Sequence, residues 1–250
     1  MFSSVVIPAY QKVDLLQECL ERFETQTVDN FEVIVVSDGC ADVISFLDSY
    51  VAKFPLRYFN TNYEGFGVAL ARNLGIYHAV GEQIISIDPD CMVESDFVFN
   101  HQKYYELGLL LVGSTISVQL DEIGCIDYVC MAEQRDVFSR YENLEELEFG
   151  IDFAVMAYSN NFSFSKQDAI LIGGFDVANF LDQGGSDTDF ARRFLLQFDR
   201  LKFIRNPVYH VGIMSNIFNS NHEGVVNWPR DKLAELSNRL APIVPFIKEV

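Results

Sequence analysis

Up to Asp90 the chain alternates two hydrophobic periods. Residues 4–7 form a short, mostly apolar run that Pro8 stops, which reads as a strand. At Asp14 the spacing changes. Leu15, Leu16, Cys19, Leu20 and Phe23 fall on one side of a helix, and Gln17 stands where a capping box places its second member. Residues 33–36 are a continuous β-branched run that ends at Ser37-Asp38-Gly39. The pattern then predicts a helix over 42–54, a strand over 56–59, and a helix over 67–80 with Val68, Ala71, Leu74 and His78 on one face. A further strand over 83–87 ends at Asp88-Pro89-Asp90. Strand and helix alternating at this spacing predict an α/β fold: a Rossmann-like, mostly parallel sheet with crossover helices on both faces. Ligands of such sheets sit outside the carboxyl ends of the strands, where Asp38 and the Asp88/Asp90 pair fall.

The second half is less regular. Residues 119–150 contain the acidic run ENLEELE, read as a solvated helical insertion or flap. Residues 159–165 alternate like a strand, Gly173-Gly174 marks a turn, and 187–198 read as a helix with Phe190, Phe194 and Phe198 on one face. A last strand over 201–204 leads to Pro207 and His210, and the tail over 229–240 has weak helical periodicity. No repeat or linker divides the chain. It reads as one domain, with a first half at 1–118, a second region at 119–228 and a tail at 229–250.

Composition narrows the class. With 250 residues, 49% hydrophobic and 22% charged, the chain can bury a sizeable core. Eighteen basic against 36 acidic residues leave −18, which argues against nucleic acid or anionic lipid as a partner. An anionic ligand then requires a local cation: a metal, or a few placed Arg and Lys. Five cysteines (Cys19, Cys40, Cys91, Cys125, Cys130) are an odd count without a C-x-x-C pair, which favours a reducing compartment over a zinc or disulfide framework. The N-terminal segment lacks the basic region of a signal peptide, and the apolar run 109–112 is far short of the about 20 residues of a membrane helix. The expectation is a soluble, cytoplasmic protein without a transmembrane segment, peripheral membrane contact being left open.

Asp88-Pro89-Asp90 is the sharpest chemical feature. Two carboxylates one residue apart can offer hard oxygen ligands to Mg²⁺ or Mn²⁺. An Asp followed by Pro is equally a good turn start. The context is a strand delivering the pair to the sheet's carboxyl edge. Four segments, VVIPAYQKVDLLQECL (5–20), FEVIVVSDGCAD (31–42), EGFGVALARNLGIYHAVGEQIISIDPDCMV (64–93) and GGFDVANFLDQGGSDTDFARRF (173–194), together resemble an inverting family 2 glycosyltransferase of the GT-A fold.

The resemblance implies a nucleotide-sugar-binding half at 1–118, an acceptor and catalytic half at 119–228, and roles at numbered positions. Pro8, Ala9 and Tyr10 match the first nucleotide-binding loop, and Asp38 matches the aspartate that accepts from base or ribose, a helix cap being its other reading. Arg72 and Asn73 match the A-R-N of the sugar-nucleotide helix; a surface salt bridge is the ordinary fate of a helix arginine. Asp88 and Asp90 match the D-x-D motif, the first touching ribose and the second ligating Mn²⁺ or Mg²⁺, with Asp88 also placed beside it in the metal set. His210 sits where related transferases complete the metal site, and a structural histidine is an equal alternative. Asp187 matches the base that takes the acceptor proton. A helix start capped by Ser186, with Asp187 and Asp189 in the first turn, is compatible with that role. Ser186 replaces the family's usual Glu, which puts the acceptor in doubt. Gly65-Phe66-Gly67 only imitates a dinucleotide fingerprint, so a nicotinamide cofactor is set aside. His101, His222 and His78 lack site context, and Trp228 reads as a packing anchor.

Absent motifs argue against a processive synthase. The implied activity is single, metal-dependent transfer from a nucleoside-diphosphate sugar, a UDP-sugar favoured, to a glycan, lipid-linked or protein acceptor. A catalytically silent sugar-nucleotide-binding module and a sugar-phosphate nucleotidyltransferase are the alternatives.

Overall fold

The alternation of side chains along each central strand requires two apolar layers, one on either side of the sheet. The computed structural model describes residues 1–120, 126–130, 146–149, 154, 157–182 and 184–211. Its first half is β1 (Ser3–Ala9), α1 (Val13–Phe23), β2 (Phe31–Ser37), α2 (Ala41–Ser49), β3 (Leu56–Asn60), α3 (Val68–His78) and β4 (Gln83–Ile87). Then follow β5 (Cys91–Val93), α4 (Phe97–Lys103), β6 (Leu110–Leu120), β7 (Ile126–Cys130), β8 (Glu146–Phe149) and β9 (Asn161–Ser165). The described chain closes with α5 (Lys166–Leu171), α6 (Val177–Phe180), α7 (Ser186–Phe198) and β10 (Leu201–Val211).

The sheet order is β3-β2-β1-β4-β9-β6-β10-β5, with β7 on β6 and β8 on β10. Strands β1 to β4 pair in parallel, β9 enters antiparallel between β4 and β6, and β10 runs parallel to β6. Val5, Ile7, Val33, Val35 and Ile85 face α1, α2 and α4, whereas Val6, Ile34, Val36 and Ile84 face α3, α5 and α7. The helices therefore lie on both faces, as the pattern predicts.

Several boundaries differ from the sequence reading, each for a local reason. Strand β1 continues through Pro8. Ala9 accepts from the Asp38 N–H on the β2 side at 2.8 Å, so the missing N–H of Pro8 lies on the β4 side, where pairing has ended at Val6. Helix α1 has no capping box: Lys12 is its N-cap in a left-handed conformation, and Gln17 bonds Glu21 instead. Helix α2 stops at Ser49, because Phe54 must return to pack on Phe23 and Phe31 and the Pro55 carbonyl accepts from Val33 N–H. The buried face of α3 is Ala69, Ala71, Arg72, Gly75 and Ile76 rather than the Val68/Leu74 face. Within the acidic run, Glu146–Phe149 is strand β8 and not helix; residues 131–145 and the tail with His222 and Trp228 lie outside the described residues, as does Cys125. Strand β10 extends past 204 to Val211, with its register shifted between Ile204 and Val208.

A polar seam crosses the junction of the parallel and mixed halves. Gln83 Nε2 donates to the His101 carbonyl at 2.8 Å and to Ser163 Oγ at 3.1 Å. His101 meets Ser163 Oγ at 2.9 Å and Asn161 Oδ1 at 3.1 Å. Asn161 Nδ2 donates to the carbonyls of Ser114 and Asn206, each at 2.8 Å, which ties β9 to β6 and β10.

Candidate active site

The strand order reverses between β1 and β4, so the crevice outside their carboxyl ends is where this fold binds ligands. After β1 the chain presents exposed Tyr10, then Gln11 and Lys12, both left-handed at φ 55° and 47°. Two such non-glycine residues in succession store backbone strain. Pro8 and Ala9, expected in the nucleotide loop, lie inside β1 with their side chains buried, which leaves Tyr10 as the exposed ring at that edge. After β4, Asp88-Pro89-Asp90 forms a turn closed by Cys91 N–H on the Asp88 carbonyl at 3.2 Å. The turn reverses the chain into β5, which pairs antiparallel with β10 in the register His210 opposite Cys91. Val211 N–H donates to the Asp90 carbonyl at 2.8 Å. Turn chemistry and carboxylate presentation therefore coexist, and the β5–β10 register is what carries His210 to the D-x-D.

Asp90 is the electrostatic centre. Its Oδ2 accepts from Lys12 Nζ at 2.8 Å, and its Oδ1 lies 3.4 Å from His210 Nε2. Burial alone would raise its carboxyl; hydrogen bonding and charge from His210 and Lys12 outweigh it and hold the group down to about 2. Asp88 behaves oppositely. Desolvation raises its carboxyl, while Arg72 donates to Oδ1 at 2.9 Å and pulls it back down. Arg72 is no surface ion-pair residue: its side chain is 6% exposed against 29% for Asp88, and its guanidinium carbon sits 5.4 Å from the centre of the Phe175 ring.

Asp90, Cys91 and His210 each offer one donor atom, all within 4.8 Å of one another. Burial pushes the Cys91 thiol well up, with Asp88 and Asp90 adding to it, so carboxylate and imidazole are the competent donors. That oxygen and nitrogen set suits a divalent ion of the Mn²⁺ type. Among the described residues, His210 Nδ1 is buried without a hydrogen-bond partner. Asp88, expected as a ligand beside Asp90, lies outside this trio and belongs to Arg72. Sequence reading missed Lys12 and Cys91. The need for placed cations in so acidic a chain was a signal for the first; β5 was too short to reveal the second.

The remaining positions divide. Asp38 does not cap α2, whose N-cap is Cys40. Its Oδ2 accepts from Gly67 N–H at 2.7 Å and its Oδ1 from Thr61 Oγ1 at 3.3 Å, so it fixes the entry to α3. Burial raises this carboxyl and those hydrogen bonds lower it, with burial the larger effect. Asn73 is turned to structural use, its side chain clamping the main chain of Phe175 through two hydrogen bonds of 2.8 Å. The A-R-N and G-G-F-D segments are thereby joined, Asn73 on the Phe175 backbone and Arg72 on its ring. Helix α7 is capped by Gly185 at φ 96°, not by Ser186, which is buried in the first turn. Asp187 is half-buried and accepts from Thr188 N–H at 2.9 Å, whereas Asp189 turns inward to Arg193 at 2.7 Å. The structure thus gathers Lys12, Asp90, Cys91 and His210 in one cluster and Asp88 with Arg72; the described hydrogen bond of Asp187 stays within its own helix.

The sequence matches the family described as Glycosyl transferase family 2 over residues 4–143. An uncharacterized glycosyltransferase of Rickettsia felis is 36% identical over 118 residues, 42% of this chain and 19% of that protein. The chain therefore spans about a fifth of the length of such relatives. Among solved structures, S. aureus TarS 1–349 in complex with UDP-GlcNAc is similar with a TM-score of 0.65 at 15% identity, over 94% of this chain and 64% of that one. Mannosyltransferase PcManGT from Pyrobaculum calidifontis, in complex with GDP-Man and Mn²⁺, is similar with a TM-score of 0.59 at 19% identity, over 86% of this chain and 58% of that one. The fold is the GT-A type, and since the family match takes in more than half of the 250 residues, the chain belongs to glycosyl transferase family 2.

Proposed function

We propose that this chain transfers one sugar from a nucleoside-diphosphate sugar to an acceptor hydroxyl, with inversion, aided by a divalent ion and without processive elongation. The observation that carries the reading is Asp90, ionised and set between His210 and Lys12 at the switch point of the sheet. A divalent ion held by Asp90 and His210, Mn²⁺ or Mg²⁺, would neutralise charge growing on the departing diphosphate. The protein's own cations assist: Arg72 reaches the D-x-D through Asp88, and Lys12 stands at the mouth of the same crevice. Tyr10 offers an exposed ring to a base, and Asp38 a fixed acceptor to base or ribose. Asp187, held at the start of α7, takes the proton of the acceptor hydroxyl. The hydroxyl oxygen bonds the anomeric carbon from the face opposite the diphosphate as the carbon–phosphate-oxygen bond breaks. The nucleotide sugars bound by TarS and PcManGT on the same fold support this donor class, a UDP-sugar favoured, and the Mn²⁺ of PcManGT supports the ion. The buried free thiols Cys19, Cys40 and Cys91 support a reducing, cytoplasmic setting. Among the described residues no helix is long and apolar enough to cross a membrane.

Ser186, buried where the family usually has Glu, favours a second reading: a module that binds the sugar nucleotide without turning it over. Release of NDP from a panel of UDP-, GDP- and dTDP-sugars, with Mn²⁺ and then EDTA, separates the two. Metal-dependent release from one donor is expected, abolished by Asp187→Asn with NDP affinity retained, while Asp90→Ala weakens Mn²⁺ binding in titration. Turnover surviving in Asp187→Asn removes Asp187 as the base; binding without turnover leaves the silent module. Pyrophosphate released from NTP and sugar phosphate identifies a nucleotidyltransferase.

A further inference from the structure

Gly65-Phe66-Gly67 has no part in the donor chemistry above, yet each of its glycines is pressed against an aspartate. A Cβ on Gly67 would meet Asp38 Oδ1, and one on Gly65 would meet Asp182 Oδ1 and the Tyr63 ring. Asp182 is the unforeseen member. Its Oδ2 accepts from the Tyr63 hydroxyl at 2.6 Å, its Oδ1 from Phe66 N–H at 2.9 Å, and its own N–H donates to the Phe66 carbonyl at 2.8 Å. It does so at φ 60°, a left-handed conformation for a non-glycine residue. The loop between β3 and α3 is therefore gripped from two sides, by Asp38 at the end of β2 and by Asp182 on the segment leading into α7. Beyond Asp182, a Cβ on Gly184 would meet none of the described residues within 4 Å, and Gly185 caps the helix on which Asp187 is the second residue.

We propose that Tyr63 and Asp182 are positioning residues: a strap through which the loop braced by Asp38 sets the placement of Asp187. The side-chain partners that define the strap are each other and the Phe66 N–H. The strap rests on the donor role of Asp38 and the base role of Asp187 in the preceding reading. Glycine is needed at 65 so that the carboxylate can close over the loop, and glycines at 184 and 185 let the segment swing unless the strap holds it. Binding of a nucleotide against the Asp38 loop then orders the start of α7, and breaking the strap misplaces the base while leaving the nucleotide contacts in place.

Amide hydrogen exchange of the full chain, with and without UDP and Mn²⁺, tests this alongside steady-state NDP release. In the wild type, UDP is expected to slow exchange over both 61–67 and 184–190. Tyr63→Phe, which removes one hydroxyl, and Asp182→Ala should keep protection of 61–67 and lose it over 184–190. Their kcat should fall about ten- to a hundredfold with KM for the donor little changed. Asp182→Asn, which can still accept from Phe66 N–H, should recover part of the loss. Coupled protection and unchanged kcat in Tyr63→Phe and Asp182→Ala would overturn the strap alone. Failure of UDP, GDP and dTDP alike to protect 61–67 in the wild type would overturn the donor reading, and the strap with it.

Discussion

Arg72 shows how much one side chain can join. It is buried on α3, bonds Asp88 and lies over Phe175, whose main chain is held by the neighbouring Asn73. Removing one partner of a buried pair leaves the other uncompensated. Asp88 keeps some solvent, which lessens the penalty, so Arg72→Ala is expected to lower stability by about 2 kcal/mol, with Arg72→Lys recovering part because it keeps the charge and loses the planar stack. Urea unfolding measures both; an Ala variant as stable as the wild type would leave the guanidinium without a structural part. The acidic members of this site were legible because carboxylates at strand ends are conspicuous. Their partners were not. The A-R-N resemblance picks out Arg72 but not its pairing with Asp88, Lys12 is not picked out until the fold brings the ends of β1, α3 and β4 together, and Asp182 meets Tyr63 from 119 positions away.

At the scale of elements, β2, β3, β4 and α3 were readable to within a residue or two, because each carries a clean period and ends in turn chemistry. Strands β1 and β9 and helices α1 and α7 were read nearly as closely, and the failures lie elsewhere, for identifiable reasons. Strand β6 passed unrecognised since its only cue was a four-residue apolar run followed by small and polar residues, and β10 looked finished at Ile204 because Pro207 mimics a stop. Connections obey tighter steric rules than the elements they join. Gly39 sits at φ 72°, and a Cβ there would run into the Tyr63 carbonyl oxygen, backbone that cannot rotate away. Gly39→Ala is therefore expected to cost about 3 kcal/mol or to displace the 61–67 loop. Thermal unfolding together with UDP affinity would register either result, and an unperturbed protein would mean that β2–α2 and the loop do not approach as described.

Across the whole molecule, two apolar layers sandwich a sheet whose centre is polar where the parallel half meets the antiparallel β9. His101 is the titratable member of that seam, fully buried, and desolvation holds its ring down to about 4 despite the Asn161 hydrogen bond. The unfolded chain takes up a proton near pH 6.5 that the folded protein refuses until about pH 4. Stability is thus fully present above pH 6.5 and drains away as the pH falls toward 4, by about 3 kcal/mol over that span. The urea midpoint of the wild type should fall accordingly, and His101→Gln should flatten that part of the profile. Identical pH profiles would remove His101 as its source.

The same seam has a kinetic meaning. Gln83 and Ser163, which meet within it, are 80 positions apart in the chain, whereas β1, β2 and β3 join through short crossovers. Loop closure over that distance costs entropy before any hydrogen bond of the seam repays it, and the same 80 positions separate Ser3 from Gln83 across β1 and β4, so both joints are expected to close after β1 to β3 have met. If the seam closes after the transition state, weakening it hastens unfolding while leaving the rate of folding nearly untouched, which unfolding and refolding rates would show. A seam closed that late would decide how long the native sheet persists and not how quickly it arises.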